Sequence, residues 1–227
     1  MKQLFTFLAL TLAAANADAG DLYNFRSLGF SNDGRYYAFV QSVVQDGSGF
    51  PSAEAAVIEV ATNSMVKRKH VVLEGDNATE TQATTKAITG VDLAGYGING
   101  NNKGETLLVR ELSDRSRYAD TVFGANYYRD YSLTAESIPE ANPNDHCLSE
   151  DRGNLLKLTL TGNTANPLNL VMQQDSKLPA ARECAFKYEV RRVILSDDKL
   201  VVIVSYHSNG FEGADIRFMA VTAKQIL

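Results

Sequence analysis

The fold class of this chain is predicted from one stretch, Phe30-Ser31-Asn32-Asp33-Gly34-Arg35-Tyr36-Tyr37-Ala38-Phe39-Val40. The residues on either side of the Asp-Gly pair are typical of strands, and the pair itself favours a tight hairpin turn. The stretch Leu195-Ser196-Asp197-Asp198-Lys199-Leu200-Val201-Val202-Ile203-Val204 aligns with it with one gap. Each stretch is followed by a Gly-Phe pair and a further strand, so the sequence predicts a hairpin-plus-strand unit that occurs twice.

Most of the remaining chain alternates between strand-like runs and polar turns, and about eleven strands are expected in total. The runs outside the two stretches are 25–30, 54–60, 65–73, 105–112, 128–138, 154–161, 167–173 and 215–221. One short helix is expected around residues 79–95, where Ala83 and Ala87 recur at helical spacing. Asn77 or Thr79 can cap its first turn.

The predicted fold class is therefore mainly β, with antiparallel sheets and one short helix. Two arrangements bury the alternating strand faces equally well: a sandwich, or an open propeller-like stack with the helix on one flank. A closed propeller is not expected, because about eleven strands make fewer than three four-stranded blades.

The composition is that of a chain that can bury a core. Of its 227 residues, 44% are hydrophobic, and 22 basic against 27 acidic residues give a formal net charge of −5. This acidic balance argues against nucleic acid or an anionic membrane surface as the main partner, since both require a clustered positive surface. After the N-terminus, no apolar run reaches the roughly 20 residues that span a bilayer.

The N-terminus has the pattern of a secretory signal. Lys2 is followed by a mainly apolar segment, 4–15, and then by Ala17-Asp18-Ala19, a small-x-small pattern that suits signal peptidase. We predict a signal peptide over residues 1–19 and a single mainly β domain over residues 20–227, in the periplasm or outside the cell. The alternative, an anchor helix, needs a longer apolar segment.

Cys147 and Cys184 are the two cysteines of the chain. An exported protein enters an oxidising compartment, and neither cysteine lies in a Cys-x-x-Cys spacing, so a disulfide is predicted rather than a redox pair. On the chain-entropy account, closing the loop between Cys147 and Cys184 stabilises the fold by roughly 4 kcal/mol.

Two resemblances support export. The segment 30–39 resembles the repeats of Tol-type and WD40-like periplasmic propellers, in which a strand enters an Asp-Gly turn and returns. Through Gly49-Phe50-Pro51, 178–184 and 210–219, most of the chain is similar to a family of predicted secreted bacterial proteins of unknown function. This similarity implies export from a bacterial cell and carries no activity, substrate or catalytic residue.

Motifs for catalysis, metal binding and phosphate binding are missing from the sequence. It contains no Gly-x-Ser-x-Gly elbow, His-Glu-x-x-His helix or phosphate-binding Gly-x-x-x-x-Gly-Lys loop. His70, His146 and His207 lie in different segments. The loops 46–49 and 99–105 lack the ligand spacing of a calcium site. We therefore predict no metal and no cofactor.

The strongest candidate binding surface is the loop 210–217 with its neighbours Tyr206 and His207. Phe211 can act as an apolar anchor with charged residues around it, and Phe50 lies in a second Gly-Phe loop. The predicted ligand-binding residues are Tyr206, His207, Phe211, Glu212, Asp215, Arg217 and Phe50. The alternative is a self-contained turn in which Arg217 pairs with Glu212 or Asp215.

Two functions from different classes are consistent with this sequence. The first is an exported, non-catalytic β module that binds a protein, an envelope component or a small ligand. The second is an exported hydrolase whose site is assembled from separated loops around His146 or His207.

Overall fold

The computed structural model describes residues 20–112, 120–126, 129–140, 147, 153–163, 167–182, 184–210 and 213–224. Within these ranges the fold is mainly β, as the sequence predicts, with twelve strands and one α-helix. The elements are β1 (Asn24–Phe30), β2 (Tyr36–Val44), β3 (Pro51–Glu59), β4 (Ser64–Val72), α1 (Glu80–Gly90), β5 (Glu105–Val109), β6 (Asp120–Asn126), β7 (Arg129–Pro139), β8 (Asn154–Gly162), β9 (Asn169–Gln174), the short 3-10 helix η1 (Ala180–Arg182), β10 (Lys187–Ser196), β11 (Lys199–Asn209) and β12 (Ala214–Lys224).

The strands form three four-stranded antiparallel sheets. The first sheet has the order β1-β2-β3-β4, the second β12-β11-β10-β5 and the third β6-β7-β8-β9. Three apolar clusters show how they stack: α1 packs on the first sheet, the first sheet packs on the second, and the second packs on the third. The predicted helix therefore lies on one flank of a layered β structure. The resemblance to propeller repeats stays a prediction.

The burial of each strand follows from its layer. The strands β2 and β3 are buried on both faces, because Tyr37 and Phe39 point towards the second sheet while Ala38 and Val40 point towards α1. In the outer, third sheet, β8 instead alternates buried leucines with less buried polar residues. Continuous apolar runs therefore mark strands covered on both sides, and alternation marks strands covered on one side.

The two matching stretches form corresponding hairpins, β1-β2 and β10-β11, in adjacent sheets. Their turns meet, since a Cβ on Gly34 would lie 2.6 Å from the Lys199 side chain. The Asp33-Gly34 turn is longer than the tight hairpin expected, because Ser31 N–H bonds to Tyr36 C=O and leaves four residues between the paired ends. The two-residue turn lies instead at Asp197-Asp198, where Ser196 pairs with Lys199.

The helix begins where predicted and ends earlier. Thr79 is its N-cap, and a capping box with Gln82 satisfies the first turn. The helix ends at Gly90 rather than near residue 95, and Asp92 has a positive φ of 52°. The backbone after Gly90 therefore turns before the Gly95-Tyr96-Gly97 stretch that was expected to stop the helix.

The predicted disulfide is present. Cys147 and Cys184 are bonded, with their Cα atoms 5.5 Å apart, and Cys147 packs against the apolar cluster between the second and third sheets. The strand that sequence reasoning missed is β6, which pairs with β7 at the edge of the third sheet. Among the described residues, no helix has the length and apolar character required to cross a membrane. The predicted signal peptide, residues 1–19, lies outside the described residues.

Candidate functional site

The candidate site lies along β12, an edge strand of the second sheet. One edge of β12 pairs with β11, so the backbone groups of alternate residues point away from the sheet. Ile216 defines which residues these are, because its N–H bonds to Asp21 C=O and its C=O accepts from Tyr23 N–H. The register with β11 has no bulge, so Phe218, Ala220 and Thr222 also point their backbone groups outward.

A buried side chain from the first sheet caps Phe218. Gln41 is 2% exposed, and its Oε1 accepts from Phe218 N–H at 2.8 Å while its Nε2 donates to Phe218 C=O at 3.1 Å. The carboxamide of Gln41 thus replaces the neighbouring strand that β12 lacks at this position. Such capping blocks an edge that could otherwise pair with another chain.

A second amide caps Thr222. Thr222 N–H donates to Asn63 Oδ1 at 2.9 Å, and the Thr222 hydroxyl donates to Val60 C=O at 2.9 Å. Asn63 has a φ of 50°, in the left-handed region that Asn tolerates better than most residues. Its Nδ2 donates to Gln173 Oε1 at 2.7 Å, which joins the first sheet to β9.

Ala220 lies between these two caps and keeps its outward backbone groups open. Among the described residues, no group bonds to Ala220 N–H or C=O on the side away from β11. Ala220 also lines a cleft of about 200 Å³ that runs along this edge. We name this space the β12 cleft. Its lining residues are Phe39, Glu54, Ile58, Asn63, Met65, Arg68, Gln173, Pro179, Ala181, Arg182, Tyr206, Phe218, Met219 and Ala220.

The charges in the walls of the β12 cleft are paired with one another. Arg68 Nε donates to Glu54 Oε2 at 2.6 Å, and Arg182 lies 2.7 Å from Asp175 Oδ1. The Arg182–Asp175 pair is buried, with the two side chains 7% and 3% exposed. Because these charges neutralise one another, the walls favour an uncharged occupant over an ion.

Asp175 is held as a carboxylate. Burial favours its neutral form and raises its pKa, but hydrogen bonds from Arg182, Leu156 N–H and Gln173 outweigh burial, so the pKa lies below its ordinary value. Gln173 also accepts from Asn63, so hydrogen bonds run from the Thr222 cap to the buried ion pair. The polar part of the cleft wall is thereby fixed in position.

The structure brings Tyr206 and Arg217 of the predicted binding surface together as paired residues of β11 and β12, with Asp215 two residues away on the same face of β12. Tyr206 is buried and lines the β12 cleft, with its hydroxyl 3.4 Å from Ala181 C=O. The Arg217 guanidinium lies 5.0 Å from the centre of the Tyr23 ring. Asp215 Oδ1 accepts from Asp21 N–H at 2.9 Å. These polar groups therefore hold the segment before β1 against β12.

Of the remaining members of that predicted surface, two lie at other positions in the fold and two lie outside the described residues. His207 points to the opposite face of β11 from its neighbour Tyr206, since adjacent strand residues alternate. Phe50 lies in the loop between β2 and β3, where its C=O accepts from Gln45 N–H at 3.0 Å. Phe211 and Glu212 lie outside the described residues, so the binding surface built on them stays a prediction.

His207 belongs to a charged network on the paired strands β10 and β11. Its Nε2 lies 3.0 Å from Glu189 Oε2, and Glu189 also pairs with Lys187 and Arg191. Burial raises the pKa of Glu189, but the bonds from His207 and Lys187 and the charge of Arg191 lower it to about 2. Glu189 therefore remains ionised and holds the surrounding cations.

Ser52 and His70 form the pair that most resembles a catalytic nucleophile and its general base. Ser52 Oγ lies 3.0 Å from His70 Nε2, and burial lowers the pKa of His70 below its ordinary value. Ser52, however, is 0% exposed, so a substrate carbonyl has no access to its hydroxyl. His146, the other histidine proposed for a hydrolase, lies outside the described residues.

Two further clefts are present in the described part of the chain. One, of about 180 Å³, is lined by Arg110, Arg191 and Arg192, but Arg191 donates to Ser205, Glu189 and the Glu111 carbonyl. The other, of about 400 Å³, lies between β1 and α1. Within the described ranges, no three His, Cys, Asp or Glu side chains converge as a metal site.

Comparison with known families supports the export that the sequence predicts. Residues 38–224 match the family described as predicted secreted protein (DUF2259). The chain belongs to this family. No curated protein and no solved structure gives a significant match to this DUF2259 chain. Together with the disulfide, the family supports an exported protein.

Sequence reasoning missed most of the cleft in this DUF2259 protein. Gln41 carried a usable signal, because it and Ser42 are the polar residues in the mainly apolar run Tyr37–Val44, and buried polar residues require partners. Asn63 lies in a polar turn and resembles any other turn residue. Ala220 carries no side-chain signal, since its backbone provides the feature.

Proposed function

We propose that this protein is an exported, non-catalytic β module that binds a small, mainly apolar ligand in the β12 cleft. The observation that carries the proposal is the cleft itself: apolar walls from β2, β3, β4 and β12 surround the open backbone of Ala220. Concave apolar sites with a few placed polar groups are typical of small-molecule binding. The wider alternatives, a protein or an envelope component, fit a cleft of about 200 Å³ less well.

The apolar surface and the paired charges of the β12 cleft indicate the chemical class of its ligand. Phe39, Ile58 and Phe218 provide apolar surface, and the two ion pairs leave no net charge to attract an ion. Burying about 100 Å² of apolar ligand surface contributes roughly 2.5 kcal/mol before the costs of association. We therefore expect an uncharged, fragment-sized molecule with modest affinity.

The compartment in the proposal is the periplasm or the extracellular space. A signal peptide over residues 1–19 and one domain over residues 20–227 are parts of the same proposal. N-terminal sequencing of the exported protein, with Gly20 as the expected first residue, tests the cleavage position. A retained Met1 would contradict it.

The binding proposal is tested with methyl phenylacetate, an uncharged aromatic ester, titrated into ¹⁵N-labelled protein. We expect saturable shifts in the amide signals of residues that line the cleft. Met65→Glu should weaken binding by about tenfold, because Met65 lines the cleft and the substitution replaces its apolar contact surface with a carboxylate. Val66→Glu is the matched control, since Val66 is 39% exposed and does not line the cleft.

An absence of saturable shifts would contradict the proposal, as would equal weakening by the two variants. The hydrolase alternative has its own test, a panel of ester, amide and glycoside substrates. Turnover by the wild type that is lost in Ser52→Ala, His70→Ala or His207→Ala would replace binding with catalysis.

A further inference from the structure

We propose that the ligand of the β12 cleft carries a primary carboxamide or a lactam that pairs with the backbone N–H and C=O of Ala220. This inference rests on the proposed function, and it adds the chemical group by which the ligand is recognised. Its basis is the outward direction of these two backbone groups at the position where the cleft meets β12.

The backbone geometry of Ala220 limits the ligand groups that can bond to its N–H and its C=O at the same time. Ala220 N–H and C=O point to the same side of the strand, so a ligand must present its acceptor and its donor side by side. A primary carboxamide or a lactam does so. A trans secondary amide does not, because its N–H and C=O point in opposite directions.

The protein contains an example of this pairing two residues away. The Gln41 carboxamide accepts from Phe218 N–H and donates to Phe218 C=O, with distances of 2.8 and 3.1 Å. Phe218 and Ala220 follow one another on the same outward edge. A ligand carboxamide at Ala220 would continue the interaction that Gln41 makes at Phe218.

The neighbouring caps argue against an added peptide strand. A strand that paired along β12 would need the outward groups of Phe218 and Thr222 as well as those of Ala220. Gln41 occupies both backbone groups of Phe218, and Asn63 occupies the N–H of Thr222. Between these two residues, the uncapped part of the β12 edge is therefore one residue, Ala220, which suits one carboxamide rather than an extended chain.

The surroundings of Ala220 exclude the nearest chemical relatives. A carboxylate has no donor for the Ala220 carbonyl, and an ester has none either. An apolar wall also strengthens a hydrogen bond and makes an unpaired polar group costly. The cleft should therefore distinguish a carboxamide from an ester of the same size.

The experiment compares 2-phenylacetamide with methyl phenylacetate, which has nearly the same shape and lacks the N–H donor. We expect the carboxamide to bind about five- to tenfold more tightly, which corresponds to one additional hydrogen bond. We also expect the Ala220 amide proton to move downfield with the carboxamide, while the amide of Val66, which does not line the cleft, stays unchanged.

Equal affinity of the two compounds, with no change at Ala220, would overturn the inference and leave the binding proposal standing. A failure of both compounds to bind would overturn both. A third probe, the capped tripeptide Ac-Ala-Gln-Ala-NHMe, distinguishes the source of the group. Tighter binding of this peptide assigns the carboxamide to a polypeptide side chain, and weaker binding assigns it to a small molecule.

Discussion

The edge strands β4 and β12 protect their backbones in opposite ways. β4 is exposed along almost its whole length and carries Lys67, Arg68 and Lys69, so charge and solvent discourage pairing with another chain. The β12 edge faces a partly buried cleft, where Gln41 and Asn63 cap its backbone groups with amides. On β12, the neighbours Phe218 and Thr222 are capped, whereas the outward N–H and C=O of Ala220 have no partner among the described residues. This difference marks Ala220 as a candidate binding site.

The largest expected effect concerns the charges beside β12. Asp175→Asn should lower the free energy of unfolding by about 3 to 5 kcal/mol, because it leaves the Arg182 charge buried without its counter-ion. Lys67→Met on β4 is the matched control and should change it by less than about 0.5 kcal/mol. Urea denaturation measures both, and similar values for the two variants would remove the distinction between the edges.

The Asp175 carboxylate should also make the free energy of unfolding depend on pH. The pKa of Asp175 is lower in the folded protein than its ordinary value, so its contribution to stability is complete above that value. The contribution is lost as the pH falls below about 4 and passes through the lower pKa of the folded state. Denaturation between neutral and acidic pH should show a smaller loss in Asp175→Asn than in the wild type. An identical loss in both proteins would contradict the role of Asp175.

Removing the Phe218 cap should have the next largest effect. Gln41→Ala leaves Phe218 N–H and C=O without partners and opens a cavity, so we expect a loss of about 3 kcal/mol. Differential scanning calorimetry should show a melting temperature well below that of the Lys67→Met control. A loss under about 1 kcal/mol would mean that water replaces the Gln41 carboxamide.

The Thr222 cap separates into two contributions. Asn63→Gly keeps the positive φ and removes the hydrogen bonds, which should cost about 1.5 kcal/mol. Asn63→Ala removes the bonds and also strains the backbone, which should add about 1 kcal/mol. Chemical denaturation of both variants checks this order. Equal stability of the two would show that the backbone conformation at Asn63 contributes little.

The smallest change in stability is expected on β4. Lys67→Val should alter the free energy of unfolding by less than about 0.5 kcal/mol, yet it should promote association by removing charge from an exposed edge. Light scattering at increasing protein concentration measures this association. A variant that stays as dispersed as the wild type would show that Lys67 does not protect the edge.

The fold was predictable where local patterns decide it. The β1-β2 hairpin, the Thr79 cap and the Cys147–Cys184 disulfide all follow from residues near one another or from the lack of another partner. The strand β6 was missed because its apolar segment is short and lies between polar residues. The Asp33-Gly34 turn was expected to be tighter, because local preference does not reveal that Ser31 bonds to Tyr36.

The candidate site was much less predictable, because it depends on contacts between distant parts of the chain. Gln41 and Phe218 are 177 residues apart, and Asn63 and Thr222 are 159 apart. Tyr206, which was predicted in a binding surface, lines the β12 cleft, whereas its sequence neighbour His207 points to the other strand face. The opening at Ala220 arises from strand order, which no single segment encodes.

The central claim is that Ala220 is the open position on a capped edge, and amide hydrogen exchange along β12 tests it most directly. We predict that the Ala220 amide of the free protein exchanges on the order of 100-fold faster than those of Phe218 and Thr222, whose N–H groups are bonded to Gln41 and Asn63. Equal protection of all three amides would contradict the account.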